Sequence, residues 1–263
     1  MSKIEQEHSK PKNGTLRETH RPVSSAIRKG AIDISRAQKI DGFISDEELR
    51  WLAKAASKRR TIIEVGSWHG RSSRAIADNM PEGSILYCVD HWLGAETERD
   101  SYHRSAKLKD GDHAFIRFSE NLFDHIQKGR VIALRMSSRN AAEFLRKQGI
   151  TAEMVFIDAG HTYQEVKEDI DLWLPLMREG GTICGHDYYH ENNMWPEVQQ
   201  AVDERFGCRG MEYLENNSIW KHRVGKGTRA ISKRSSLPPH RCLPSAGHVV
   251  HASSAGALPG SGR

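Results

Sequence analysis

Acidic residues and histidines stand at the ends of several short apolar runs in this chain. Glu64 and Asp90 lie at the ends of two runs, Asp158 ends a third, and the pair His186-Asp187 follows a fourth. Carboxylates accept hydrogen bonds from hydroxyls and bind cations, and an imidazole exchanges protons near neutral pH. The carboxyl ends of parallel strands meet at one edge of a sheet, where ligands bind in open α/β folds. The spacing therefore predicts one polar site built from these residues.

The first apolar run leads into a glycine turn. Residues 61–73 read TIIEVGSWHGRSS, which predicts a strand, a turn at Gly66 and the start of a helix. A dinucleotide-binding turn needs a glycine where this chain has Trp68, because the backbone there must approach a pyrophosphate. Glu64 would also repel a phosphate, whereas it suits an ammonium group or a ribose hydroxyl. These residues favour a cofactor with an amino-acid cation and a ribose but no phosphate, which is S-adenosylmethionine.

The segment from Glu64 to Gly70 resembles motif I of the class I S-adenosylmethionine-dependent methyltransferases, and it departs from that motif at Trp68. The longer pattern E-V-G-S-x-x-G-R-S is similar to small-molecule O-methyltransferases related to the macrocin and novobiocin sugar methyltransferases and to cephalosporin hydroxylase-like proteins. The resemblance implies that Glu64, Gly66, Ser67 and Gly70 bind the cofactor. Glycine turns also occur in other doubly wound domains, so the turn by itself leaves the cofactor open.

A second apolar run, 84–90, ends in Asp90 about 25 residues after the glycine turn, near the spacing of an acid that binds a ribose diol. A carboxylate held at a strand end accepts hydrogen bonds from both vicinal hydroxyls. We predict that Asp90, His91 and Trp92 contact the cofactor, with Trp92 beside the adenine. The alternatives are a solvated acid at a strand end and a tryptophan that belongs to the core.

Two later runs break into the patterns F-I-D-x-x-H-x-Y and H-D-Y, which resemble the same methyltransferase branch. In that branch acids at these positions hold a divalent cation, so the resemblance implies a metal site of Asp158, His186 and Asp187. Mg²⁺ prefers oxygen ligands, and the imidazole moves the preference towards Mn²⁺ or another transition metal. The alternative is that His186 and Asp187 only pair with each other or cap a loop.

His161 lies three residues after Asp158, which is the offset at which catechol-type O-methyltransferases carry their base. The unperturbed pKa of histidine is close to operating pH, as a general base requires. We therefore predict that His161 and Asp158 are catalytic. The alternatives are that His161 only hydrogen-bonds Asp158 or that it contacts the adenine of the cofactor.

These motifs together predict an enzyme that transfers a methyl group from S-adenosylmethionine to a hydroxyl of a small molecule. A sugar or another natural product is the candidate acceptor, and Mg²⁺ or Mn²⁺ is a candidate second cofactor. One alternative is a nicotinamide-dependent oxidoreductase, which Trp68 and Glu64 disfavour. The other is a non-catalytic methyltransferase-like binding protein. The sequence leaves open whether the chain forms a homo-oligomer.

The elements that must position these residues alternate between strand and helix. This pattern predicts an α/β fold with a doubly wound, mainly parallel seven-stranded sheet of the Rossmann-like class I methyltransferase type. We expect the strand order 3-2-1-4-5, followed by a closing strand pair near 210–214 and 217–223. The methyltransferase domain is expected to span 31–224. Disordered tails are expected at 1–30 and 225–263, the latter rich in Ser, Gly and Pro.

The net charge of +5 comes from the two ends of the chain. Residues 1–30 carry seven Lys/Arg and three Asp/Glu, and residues 221–263 carry eight Lys/Arg and no Asp/Glu. The remaining 31–220 hold 24 basic and 31 acidic residues, a net charge of −7. Because nucleic-acid grooves depend on clustered Lys and Arg, this acidic centre argues against a nucleic-acid partner there.

The sequence also bears on compartment. No segment approaches the roughly 20 consecutive apolar residues of a membrane helix, and the first residues lack the apolar run of a signal peptide. Cys88 and Cys184 fall in predicted buried strands without C-x-x-C spacing, which favours reduced thiols. We expect a cytoplasmic protein without a membrane partner.

Overall fold

The computed structural model describes residues 31–94, 113–188, 195–207, 212–213 and 218–226. The two predicted tails lie outside the described residues, apart from 225–226. None of the helices in the described ranges has the length and apolar character needed to cross a bilayer.

The strands are Thr61–Val65 (β1), Ile85–Asp90 (β2), Val131–Arg135 (β3), Ala152–Ile157 (β4), Met177–Gly185 (β5), Glu212–Tyr213 (β6) and Trp220–Arg223 (β7). The described α-helices are Asp46–Ala56 (α1), Arg71–Asn79 (α2), His113–Gln127 (α3), Ser138–Lys147 (α4), Tyr163–Trp173 (α5) and Pro196–Phe206 (α6).

The strands form one seven-stranded sheet in the order β3-β2-β1-β4-β5-β7-β6. The first five strands run parallel, and β7 pairs antiparallel with β5 and β6. This confirms the predicted doubly wound, mainly parallel sheet and its 3-2-1-4-5 order. From β1 the chain adds β2 and β3 on one side, and from β4 it adds β5 on the other side. A crevice opens at such a switch point between β1 and β4.

The two faces of the sheet carry separate apolar cores. Ile63 and Val65 of β1 belong to the core that includes α4, α5 and α6, whereas Ile62 belongs to the core that includes α1, α2 and α3. Because successive strand residues point to opposite faces, Glu64 shares the face of Ile62. That direction matters for the site, since it sends the Glu64 carboxylate into the sheet face under α2.

Helix α1 begins with a capping box. The Ser45 side chain accepts a hydrogen bond from Glu48 N, and the Glu48 carboxylate accepts one from Ser45 N. Two backbone N–H groups at the start of the helix are satisfied in this way. The helix then packs its apolar face, including Leu49 and Leu52, into the core.

Candidate active site

A cavity of about 1100 Å³ opens at the carboxyl ends of the central strands. It is large enough for a nucleoside cofactor together with a small second ligand. Most of the predicted site residues border it, although they are far apart in the sequence: Gly66, Ser67, Asp90, His91, Asp158, His161, His186 and Asp187.

The glycine turn brings the end of β1 against the end of β4. Gly66 has a φ of +86°, and a Cβ atom at this position would lie 1.8 Å from the carbonyl oxygen of Asp158. Only glycine fits both the left-handed backbone and the close approach. The turn is therefore set by packing between two strand ends, and the cavity forms above it.

Asp90 holds this turn in shape. Its Oδ2 accepts hydrogen bonds from the backbone N–H groups of Ser67 and Trp68, both at 2.9 Å, and its Oδ1 accepts one from Trp92 N at 2.6 Å. Two carboxylate oxygens offer about four acceptor positions. Asp90 thus organises the loop and still has acceptor capacity towards the cavity that it borders.

Glu64, predicted as a cofactor contact, does not border the cavity. Its side chain is fully buried and accepts hydrogen bonds from the hydroxyls of Ser67, at 2.8 Å, and Ser73. Burial raises the pKa of the Glu64 carboxyl. The structure corrects its role to that of an anchor that ties β1 to the turn and to the start of α2, because strand alternation points it into the sheet face.

Gly70 and Trp92 are corrected in the same way, from cofactor contacts to packing residues. Gly70 has a φ of +84° and lies against Leu122 and Phe118 of α3. Trp92 is 2% exposed, packs on Phe118, and donates a hydrogen bond from Nε1 to Trp68 O at 2.7 Å. Both residues pack behind the turn. Trp92 therefore belongs to the core, which was the alternative prediction for this residue.

His161 and Asp187 form a pair on the cavity wall, with 3.0 Å between His161 Nε2 and Asp187 Oδ2. The His161 ring stacks on Trp195, with ring centroids 4.1 Å apart and planes at 14°. Asp187 has a φ of +61°, a strained conformation of the kind that concentrates at functional sites. The carboxylate of Asp187 fixes one ring nitrogen of His161, and the stacked indole of Trp195 fixes the ring plane. The imidazole therefore has a defined orientation.

His186 lies beside both acids of the predicted metal site. Its Nδ1 lies 3.3 Å from Asp187 Oδ2 and 3.6 Å from Asp158 Oδ1, and its Nε2 lies 3.2 Å from Glu48 Oε1. Burial alone would lower the pKa of His186, but the charges of Asp158 and Asp187 hold the pKa well above the usual histidine range. The raised pKa favours the protonated imidazole, a positive charge beside the two acids.

Glu48 completes this charge arrangement from α1. Its Oε1 also accepts hydrogen bonds from the backbone N and the hydroxyl of Ser218 at 2.9 and 3.0 Å. Burial would raise the pKa of Glu48, yet the contact with His186 holds the pKa well below its usual range. Burial likewise opposes the ionisation of Asp187, and the charge of His186 holds its pKa low. Negative and positive groups thus alternate from Glu48 through His186 to Asp187.

A further donor lies beside the two acids of the predicted set. Asp158, His161 and Asp187 each offer one ligand atom, and these atoms all lie within 4.8 Å of one another. His161 joins the two acids in this cluster, and His186 and Asp187 follow directly after the end of β5 and both border the cavity.

The family comparison agrees with this geometry. Residues 63–188, which run from β1 to the residue after Asp187, match a family model described as a methyltransferase domain. Residues 63–188 therefore form a methyltransferase domain of this family.

Known proteins similar to the methyltransferase differ widely from it in sequence. An uncharacterized protein, y4gI, from Sinorhizobium fredii is 24% identical over 144 residues, covering 52% of this chain. The chain spans only 14% of the length of that curated relative.

Two solved structures resemble the methyltransferase at a TM-score of 0.50. One is the cofactor-bound Rv0187 from MTB, 15% identical, with 73% of this chain and 86% of that chain covered. The other is a protein from Corynebacterium glutamicum, 14% identical, with 73% and 89% covered. At these identities the likeness concerns the fold.

Sequence reasoning missed the part of the methyltransferase cavity at the end of β3. Ser138 at the start of α4 and Asp169 of α5 both border the cavity there. Burial raises the pKa of Asp169 to about 7, and the nearby Glu168 and Glu165 add to the rise against the hydrogen bond from Ser138. The position of Ser138 shortly after the third strand could have indicated a site residue. Asp169 lies in the middle of a helix, where no local pattern marks it as a site residue.

Replacing Asp169 with Asn is expected to change how the stability of the methyltransferase depends on pH. The pKa of Asp169 is higher in the folded protein than the ~3.9 of an unfolded chain. Its contribution to stability is thus complete below about pH 4 and is lost as the pH rises through about 7. Relative to the parent, Asp169→Asn should gain about 2 °C or more in melting temperature at pH 8. Thermal unfolding at pH 4 and pH 8 tests this, and an equal difference at both pH values would contradict it.

Proposed function

We propose that this methyltransferase transfers a methyl group from S-adenosylmethionine to a hydroxyl of a small molecule. One observation carries the proposal: the turn held by Gly66 and Asp90 and the pair His161–Asp187 face the same cavity. A cofactor-type turn and a group suited to accept a proton are therefore within reach of two ligands bound side by side. A sugar or another natural product is the acceptor class that we propose.

The cavity wall suits a cofactor without phosphates. In the described part of the wall the two arginines are already engaged: Arg71 donates to the carbonyl oxygens of Ile44 and Ile40 at 2.9 and 2.7 Å, and Arg139 pairs with Glu168 at 2.7 Å. Trp68 stands where a dinucleotide turn has glycine. These features disfavour the nicotinamide-dependent alternative, because a pyrophosphate needs close backbone approach and compensating positive charge.

The chemistry that we propose for the chain is displacement with proton removal. The acceptor hydroxyl oxygen attacks the sulfonium methyl carbon, the carbon–sulfur bond breaks, and S-adenosylhomocysteine leaves. His161 takes the hydroxyl proton, and Asp187 stabilises the imidazolium that forms. Much of the rate gain comes from holding oxygen and methyl carbon in near-attack geometry, and the rigid strand ends around the cavity serve that purpose.

A divalent cation fits beside these residues. Asp158 and Asp187 would hold it through carboxylate oxygens, since Mg²⁺ and Mn²⁺ commonly use one or two carboxylates together with waters and substrate oxygens. His161 is the third donor within 4.8 Å, and the nitrogen favours Mn²⁺ over Mg²⁺ when it takes part. A bound cation would lower the pKa of the acceptor hydroxyl. The protonated His186 beside both acids would compete with this cation for their carboxylates.

Chelation tests this part of the proposal. Treatment with EDTA should lower turnover about tenfold or more, and added Mn²⁺ should restore it. As a readout without turnover, Mn²⁺ should raise the melting temperature of the parent but not of Asp158→Asn. Full activity after EDTA, together with a melting temperature that Mn²⁺ does not change, would contradict the proposed cation. His186 would then supply the positive charge of the site.

Ligand-induced stabilisation and a turnover screen test the function itself. S-adenosylhomocysteine should raise the melting temperature, and NAD should not. Labelled S-adenosylmethionine should then label members of a panel of sugars, phenols and other hydroxyl compounds. Stabilisation by NAD alone would favour the oxidoreductase. Cofactor binding without turnover, with an affinity unchanged in Asp158→Asn and Asp187→Asn, would favour the non-catalytic binding protein.

A further inference from the structure

A line of polar side chains runs from the cavity wall to helix α1. His161 Nε2 lies 3.0 Å from Asp187 Oδ2, and the same oxygen lies 3.3 Å from Nδ1 of His186. On the other side of the ring, His186 Nε2 lies 3.2 Å from Glu48 Oε1. His186 is 9% exposed and Glu48 is 4% exposed. A buried acid of α1 is therefore connected to His161 through two intervening side chains.

The carboxylate of Glu48 is held at both of its oxygens. Oε2 accepts hydrogen bonds from the backbone N–H and the hydroxyl of Ser45 at 2.9 and 2.8 Å. Oε1 accepts hydrogen bonds from the backbone N–H and the hydroxyl of Ser218 at 2.9 and 3.0 Å. The Ser218 hydroxyl oxygen also lies 3.0 Å from His186 Nε2. Because buried polar networks with all partners present are rigid, Glu48 is a fixed point for the His186 ring.

Asp187 requires support of this kind. Its backbone has a φ of +61°, and a residue other than glycine keeps this conformation only where its surroundings impose it. Its Oδ2 lies between the rings of His161 and His186. His186 Nδ1 also lies 3.6 Å from Asp158 Oδ1. Rotation of the His186 ring would take Nδ1 away from both acids, and His161 would then have a less fixed partner.

We infer that Glu48 is a positioning residue of the active site, which acts through His186 to hold Asp187 and thereby orients His161. Glu48 is not among the described residues that line the cavity, so it acts without touching either ligand. The inference rests on the proposed role of His161 as the proton acceptor. Reacting groups keep their geometry when the side chains behind them are locked by hydrogen bonds. Helix α1 thereby joins the elements that determine turnover.

Glu48→Ala tests the inference with two readouts. The kcat should fall about tenfold or more, because a small misplacement of a reacting group is costly. The affinity for S-adenosylhomocysteine should stay parental, since Asp90 holds the cofactor turn. The second readout is NMR of the histidine ring nitrogens in the isotope-labelled full chain, which needs no acceptor. The His161 resonances, assigned by their loss in His161→Ala, should move in Glu48→Ala although the two residues do not touch.

Two controls on the same helix separate positioning from stability. Glu47→Ala removes an exposed acid one residue earlier and should leave the kcat and the His161 resonances parental. Ser45→Ala removes the capping partner of Glu48 Oε2 and should lower the melting temperature. It leaves the contacts of Oε1 in place, so its kcat should stay close to that of the parent.

Two further variants complete the test. Because Glu48 acts through His186, adding Glu48→Ala to His186→Gln should lower kcat no further. If Glu48→Ala does not fold, Ser218→Ala removes only the hydroxyl between Glu48 and His186, and it should move the His161 resonances. Parental kcat and unmoved His161 resonances in a folded Glu48→Ala protein overturn the inference, as does a loss of kcat no larger than that of Ser45→Ala. If the resonances move but the parent methylates no acceptor, the coupling stands and the proposed function fails.

Discussion

His161→Ala is expected to lower kcat by ~10²–10⁴-fold, the usual size of a general-base contribution. His161 is oriented on two sides, by Asp187 at 3.0 Å and by the stacked ring of Trp195. Removing the imidazole leaves the acceptor hydroxyl without a positioned proton acceptor. The affinity for S-adenosylhomocysteine should stay within about twofold, because the cofactor turn is held by Asp90 and not by His161. Steady-state kinetics with the identified acceptor and a cofactor titration give both quantities.

Three controls separate a base from other roles of His161. His113→Ala makes the same change at an exposed histidine of α3 that does not border the cavity, and it should keep the parental kcat. Excess Mn²⁺ should not restore His161→Ala; restoration would identify His161 as a metal ligand. A variant that keeps kcat but loses cofactor affinity would identify it as a cofactor contact. Proton removal would then be assigned to the cation or to Asp158.

Asp90→Ala is expected to weaken binding of S-adenosylhomocysteine by about tenfold or more, since a hydrogen bond to a charged group contributes ~1.5–3 kcal/mol. Two losses combine in this variant. The proposed acceptor for the ribose hydroxyls disappears, and the N–H groups of Ser67, Trp68 and Trp92 lose the carboxylate that orders the turn. Isothermal titration calorimetry measures the change.

The control for Asp90 is Asp171→Ala, which removes an acid of α5 that pairs with Arg205 outside the cavity wall and should bind the cofactor like the parent. Asp90→Asn adds a graded test. The Asn side chain has one amide oxygen and can accept only some of the hydrogen bonds that the carboxylate accepts. The affinity of Asp90→Asn for S-adenosylhomocysteine should therefore fall between those of the parent and Asp90→Ala. Parental affinity in a folded Asp90→Ala protein would remove Asp90 from the cofactor site.

The pattern of apolar runs and polar residues was enough to predict the fold and the edge of the sheet at which the candidate site lies. Five apolar runs in alternation with amphipathic helices leave a mainly parallel sheet as the arrangement that buries both faces, and the observed strand order agrees. Four of the five strand ends could be recognised because an acid or a glycine interrupts the apolar run. For that reason Gly66, Asp90, Asp158 and Asp187 were found before their positions in space were known. The domain limits 31–224 and the cytoplasmic location stay predictions.

The directions of the polar side chains and the groups that they contact became known from the tertiary structure. Glu64 has the residue type of a cavity ligand, but strand alternation sends it into the interior. Other contacts at the site join residues that are distant in sequence: Glu48 of α1 meets Ser218 across 170 residues, and Ser138 meets Asp169 across 31. No local pattern encodes such contacts, because a side chain's charge and orientation depend on the burial and the neighbours that the whole fold supplies.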